Sequence, residues 1–321
     1  MIGFRAPLLV ASLLALGIST APAHAQLART FVSSLGNDAN DCNRLTPCRT
    51  FQRAHTQTLA TGEITVLDPG GYGSVTITKT ISIINDGVGE AGVLVSGGAV
   101  GITISAGTSD RISLRGLTVK GLDPAFGGSN GIQFNSGASL TIENCAIRNH
   151  SGDAIQMLGN VASGTNRTFV LSNTFVSDNG GNGILIQPSG SGAVKVVLSR
   201  VEAYNNSANG VSVNGTLSTA PTGSFNVAAL DSIVANNSQV GFLVASDLSH
   251  TFFNSMIVRS TAANNGAAGL QNAGHVQMLV GQSVVTGNVT SWPGCVASYG
   301  DNYVNGNGDG DPPAGCSTTK K

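Results

Sequence analysis

Asn179-Gly180-Gly181-Asn182-Gly183-Ile184-Leu185-Ile186 decides the fold, because its phrase returns down the chain. An Asn in a turn is followed four residues later by a Gly that opens an apolar strand. The phrase recurs as Asn206…Gly210-Val211-Ser212-Val213, as Asn237…Gly241-Phe242-Leu243-Val244 and as Asn265…Gly269-Leu270. Successive copies are offset by 27, 31 and 28 residues. A period of this size marks a repeat architecture, and the strand character selects a β-solenoid over stacked helices.

Alignment on the Gly gives two inward stacks within one strand. The first is Ile132, Ile155, Ile184, Val211, Phe242 and Leu270; the second is Phe134, Met157, Ile186, Val213 and Val244. Between them stand Gln133, Gln156, Leu185, Ser212 and Leu243, the alternation of a half-buried strand. An earlier strand repeats likewise, as Leu114, Ile142, Leu171 and Leu198, then Leu117, Cys145, Thr174 and Val201, then Val119, Ile147, Val176 and Ala203. Cys145 therefore reads as a small, buried core thiol. The recurring Asn is expected to stack as an amide ladder. The Gly after it suits a positive φ or a close backbone approach. Weaker coils precede these, at 63–67, 75–77, 81–83, 93–95 and 101–104, and the segment 122–130 interrupts the rhythm.

Arg5, the apolar run 6–18 and Ala23-His24-Ala25 have the layout of a secretory signal, with a mature chain expected from Gln26. The apolar run is too short to span a bilayer. The division expected is 1–25 signal peptide, 26–60 N-terminal cap, 61–291 coils and 292–321 C-terminal cap and tail, in a protein exported to the periplasm or beyond. The N-terminal cap is expected to end in a short helix over 49–55. Charged residues make up 10% of the chain and the net charge is −1, so no basic surface points to nucleic acid and no polybasic run to a membrane. Export permits two disulfides, Cys42–Cys48 and Cys295–Cys316.

The stretch Thr30-Phe31-Val32-Ser33-Ser34…Gly36-Asn37-Asp38…Cys42…Pro47-Cys48-Arg49-Thr50-Phe51 resembles the entry segment of secreted bacterial right-handed parallel β-helix proteins. The coils after it resemble the pectate-lyase-like superfamily. That resemblance covers the mature chain and implies a right-handed parallel β-helix with a cap at each end. It implies little about activity, because the superfamily holds lyases, hydrolases, epimerases and non-catalytic surface proteins.

The lyases of that superfamily use calcium-binding carboxylates with an Arg or Lys base, which demands acidic residues clustered on adjacent coils. Here Glu143, Asp153, Asp178, Glu202, Asp231 and Asp247 fall in different columns. The hydrolase branch shows Asn-Thr-Asp, an Asp pair, Gly-His-Gly and Arg-Ile-Lys. The corresponding fragments here are Asn173-Thr174-Phe175, Gly274-His275-Val276 and Arg111-Ile112-Ser113, each lacking the residue that carries the role.

One outward column, Lys120, Arg148, Ser177 and Tyr204, reads as a basic-aromatic stripe for an acidic glycan, or else as solvated surface cations. Beside it Arg115 lies over Glu143, as a surface salt bridge would. Asn305, Asn307 and Asp309, followed by Gly310, match the opening of a Ca2+ loop, though position twelve is Cys316 in place of Glu; a turn within the cap is the competing reading. The expectation is an exported, non-catalytic β-helix protein that either contacts a polysaccharide or cell-surface glycan or has a surface or structural role. The alternative is a polysaccharide-active lyase or epimerase.

Overall fold

The computed structural model describes residues 26–122, 129–247 and 253–310, and the backbone of 316–317. The expected signal peptide and most of the interrupting segment lie outside these residues. Each coil places strands on three faces. The first face is a sheet of eight parallel strands, among them Ile132–Ser136, Ile155–Met157, Ile184–Ile186, Val211–Asn214, Phe242–Ala245 and Leu270–Ala273. Among the described residues the second and third faces form one sheet of 20 strands that bends at a corner. Ser139–Glu143 and Ala146–Arg148 are separate strands on the two sides of that corner, whereas Asn166–Ser177 and Ala193–Tyr204 run through it. Every pairing among the described residues is parallel, and through the coils the register is the one the period requires, with Ile132 beside Ile155 and Ile155 beside Ile184; it slips at Leu27/Arg29 and at Phe134/Ser136. About eight turns stack into a right-handed parallel β-helix.

The predicted inward columns fill the lumen. Ile132, Ile155, Ile184, Val211, Phe242 and Leu270 are all buried, as are Phe134, Met157, Ile186, Val213 and Val244. Each such side chain contributes about 1.5–3 kcal/mol, which offsets the cost of ordering a chain with so much Gly and Ser. Cys145 is a free buried thiol, pushed up to about 11 by burial.

The Asn ladder is continuous and longer than the four copies of the phrase. Nδ2 of Asn179 donates to Oδ1 of Asn206 at 2.8 Å, and the same bond links Asn206 to Asn237, Asn237 to Asn265, Asn265 to Asn288 and Asn288 to Asn307. The backbone N–H of His150 joins the top of the column through Asn179 Oδ1.

The Gly column behaves in one of the two ways expected. Gly183, Gly210, Gly241 and Gly269 do not take a positive φ. A Cβ on Gly241 would meet Gly269 O at 2.5 Å, so these glycines are there for close backbone approach. The left-handed conformation falls instead to polar residues at the two corners of each coil, such as Asn173 (φ 46°), Arg200 (φ 53°) and Asn205 (φ 54°). Asn adopts this region more readily than other non-Gly residues, which explains its abundance there.

The helix over 51–57 sits two residues later than expected, because Thr50 is its N-cap and accepts from Arg53 N–H. Asp38 fixes that cap by accepting from the N–H groups of Arg49 and Thr50 and from the Thr50 hydroxyl. Cys42 and Cys48 form a disulfide. Cys295 is also disulfide-bonded, and the side chain of Cys316 lies outside the described residues. At both ends the stretches read as caps carry strands of their own: Leu27–Val32 pairs with Thr58–Val66, and Tyr303–Asn305 pairs with Val284–Thr286.

Candidate functional site

The outward column on the third face forms as the alternation predicts. Lys120 pairs in register with Arg148, Arg148 with Ser177 and Ser177 with Tyr204. Val119 and Ile147 are buried in the lumen, which turns Lys120 and Arg148 outward. Adjacent strands are about 4.8 Å apart, so the two cations stand side by side. Leu94 continues the column one coil earlier and is 57% exposed. Ser177 is buried, and its hydroxyl donates to Asp178 Oδ2 at 2.6 Å, so it separates the cations from Tyr204 and adds no exposed group.

The neighbouring outward column lies two residues earlier on each strand and was not singled out from the sequence. In register it runs Gly71, Gly92, Thr118, Ala146, Phe175 and Glu202. Phe175 packs against Tyr204 with ring centroids 5.8 Å apart. Burial, helped by the Glu202 carboxylate, raises the Tyr204 hydroxyl above its ordinary range. The Tyr204 ring is thus a fixed member of an aromatic pair. The only sequence signal for Phe175 was its place two residues before Ser177.

Between the two columns lies a cleft of about 520 Å³. Gly71, Gly92 and Thr118 form its floor, Pro69 and Glu90 one rim, and Leu94 and Lys120 the other. A second hollow, of about 350 Å³, lies at the corner between Phe175, Arg200, Glu202 and Asp231. There Arg259 holds Asp231 through two bonds, at 2.7 and 3.0 Å, which keeps the Asp231 carboxyl below its usual range.

Arg115 lies beside Glu143 in register, but its guanidinium pairs with Asp86 on the preceding coil, so the expected salt bridge has a different acid. Asn305, Asn307 and Asp309 are divided between tasks. Asn307 Oδ1 accepts from the N–H and the Nδ2 of Asn288 as the last rung of the ladder. The Asp309 carboxylate accepts from the N–H and the hydroxyl of Ser291. Asn305 is an exposed outward residue of the third face. A calcium ion at this loop would compete with the ladder for Asn307 Oδ1, which already accepts two bonds. Among the described residues no three His, Cys, Asp or Glu side chains gather as metal ligands. No helix among them is long and apolar enough to cross a membrane.

Residues 100–289, more than half of the chain, match the family described as the right-handed β-helix region. The chain belongs to that family. No curated protein matches it. Among solved structures it is similar to the pectate lyase Pel9A (16% identity, TM-score 0.55, covering 92% of this chain and 78% of that one). It is also similar to the pectin methylesterase from carrot (12% identity, TM-score 0.51, covering 91% and 88%). At these identities the likeness shows the shared β-helix.

What this β-helix can do chemically follows from its third face. Two neighbouring cations can neutralise carboxylates spaced along a polymer. The exposed edge of an aromatic pair can pack against the C–H face of a sugar ring. Within the described residues Glu90 and Asp231 stand at the corner of this face and Glu202 in the column of Phe175; Glu202 and Asp231 line the same hollow, where Arg259 holds the Asp231 carboxylate.

Proposed function

We propose that this protein is an exported, non-catalytic β-helix protein that binds an acidic glycan along its third face. The observation that carries the reading is the registered pair Lys120–Arg148, outward on adjacent coils and continued by the Phe175–Tyr204 aromatic pair. Charge complementarity supplies attraction, and the aromatic pair supplies a non-ionic contact that survives salt screening. The two similar solved structures are named for pectate and pectin, which sets the first polymers to try.

The test is a binding panel of acidic and neutral polysaccharides with the mature chain, followed by an assay for new reducing ends. Lys120→Ala/Arg148→Ala should weaken binding of polygalacturonate about tenfold, as two partly screened charge contacts of about 0.5–1 kcal/mol each would. Neutral polymers should be unaffected. Unchanged polygalacturonate binding by the double variant removes the stripe. Release of reducing ends by the native protein, abolished in the double variant, makes it an enzyme.

A further inference from the structure

The column beside the cations has an order of its own. Outward residues run Gly71, Gly92, Thr118 and Ala146, four small side chains on four successive coils, and then Phe175. At about 4.8 Å per coil the small residues span about 14 Å parallel to the solenoid axis. On one side stand Leu94, Lys120 and Arg148, whose side chains rise above this floor. On the other, over the first coils, stand Pro69 and Glu90. The result is a trough, a cleft of about 520 Å³ over Gly71, Gly92 and Thr118, and its floor column runs on in register through Ala146 to Phe175, the first bulky side chain on it, whose ring is paired with Tyr204. Among the described residues the near end has no such ring. Gly71 is exposed there, with nothing within 4 Å of where its Cβ would be, and its carbonyl accepts from Arg49 Nη1 at 2.5 Å.

We propose that this trough receives the end of an acidic glycan chain, lying along the solenoid axis with its terminal sugar against Phe175. The inference rests on the glycan-binding reading and adds the seat, the direction and the preference for chain ends. Three arguments carry it. The floor is made of backbone and small side chains, so a flat ring can lie close to it. Lys120 and Arg148 stand along one rim at the spacing of successive coils, placed for carboxylates on successive uronate residues, while Glu90 on the opposite rim can accept from ring hydroxyls. Finally, small residues along the whole column would take the middle of a polymer, whereas Phe175, half-buried and in the same outward register as the floor, puts a bulky side chain in the path of a chain lying on it.

The experiment uses the mature chain and size-fractionated oligogalacturonates from trimer to polymer. At equal uronate mass, binding capacity should fall in inverse proportion to chain length, because each chain offers one such end. Phe175→Ala should abolish that dependence and let long chains bind along their interior. Gly71→Trp, placed where a side chain meets open space, should fold normally by its melting curve and lose binding at least tenfold. Capacity that follows uronate mass in the native protein overturns the chain-end proposal while the glycan face stands. Normal binding by Gly71→Trp with loss in the Lys120/Arg148 double variant moves the seat out of the trough. No binding of any fraction overturns this proposal and the function it rests on.

Discussion

His55, in the helix over 51–57, is a buried imidazole whose Nε2 accepts from the Thr78 N–H at 3.2 Å. Only the neutral ring can accept there. Burial and then the nearby Lys79 ammonium lower its pKa to about 4. In the unfolded chain the value returns to about 6.5, so as pH falls the unfolded state takes up the proton first. The stability this group contributes is therefore complete above pH 6.5 and is lost progressively towards pH 4. The melting temperature should decline between pH 6.5 and 5, where most carboxylates are still ionised. His55→Gln, which keeps an acceptor but does not titrate, should show a shallower slope over that window. Parallel slopes would remove His55 as the cause. At the same scale Lys79 shows the same adjustment: burial lowers the ammonium while it donates to Thr58 O at 2.5 Å, so this corner of the cap favours neutral groups.

The Asn ladder is an element in its own right, a column of buried amides that ties six coils together. Asn237 is a middle rung. Its Oδ1 accepts from both the N–H and the Nδ2 of Asn206, and its Nδ2 donates to Ala203 O and Asn265 Oδ1. Asn237→Ala would leave two buried donors without their acceptor, at about 1–3 kcal/mol each. We expect a loss of about 2–4 kcal/mol in denaturant unfolding, against about 1 kcal/mol for Asn307→Ala at the end of the column, where water can substitute. Equal losses at the two positions would show that the ladder is not continuous in energy. The first four rungs were legible because their spacing and the following Gly recur together. The last two were not. The offsets shrink to 23 and 19 residues, and the position four beyond Asn288 is Trp292 instead of Gly. Asn307 consequently looked like part of a calcium loop with Asn305 and Asp309, a local motif that competes well once the period has slipped. On the third face the column of Lys120, Arg148 and Tyr204 was legible from alternation alone, because two of its members are charged. Phe175 was hidden because its neighbours in the column are Ala146, Thr118 and Gly92, which carry no chemistry to draw attention.

At the scale of the molecule each coil touches only its neighbours, so stability is close to a sum of coil and interface terms. Two consequences follow. The net charge of −1 gives no long-range field, so attraction for an acidic chain must come from where the cations stand, which is why the third face matters more than the total. The ends are also the weak points, since a terminal coil has one neighbour in place of two. At the N-terminal end the Cys42–Cys48 bridge, six residues apart in sequence, holds the segment against which Phe31 and Ser33 bond: Phe31 N–H donates to Cys42 O, Ser33 N–H to Cys48 O, and Cys48 N–H returns to Phe31 O. Closing so short a loop is worth about 2 kcal/mol by chain entropy. Reduction should therefore open the N-terminal end and leave the middle of the solenoid closed. In hydrogen exchange, the amides of Leu27–Val32 and Phe51–Gln57 should lose protection, while those of Val211–Asn214 keep theirs. Loss spread evenly over the chain would mean that the coils unfold as one unit and that the nearest-neighbour description fails. Loss confined to the end would mean that glycan binding on the third face survives reduction wherever it depends on coils beyond the cap. That separates the part of the trough built on Gly71, which is bonded to Arg49, from the part built on Lys120 and Arg148.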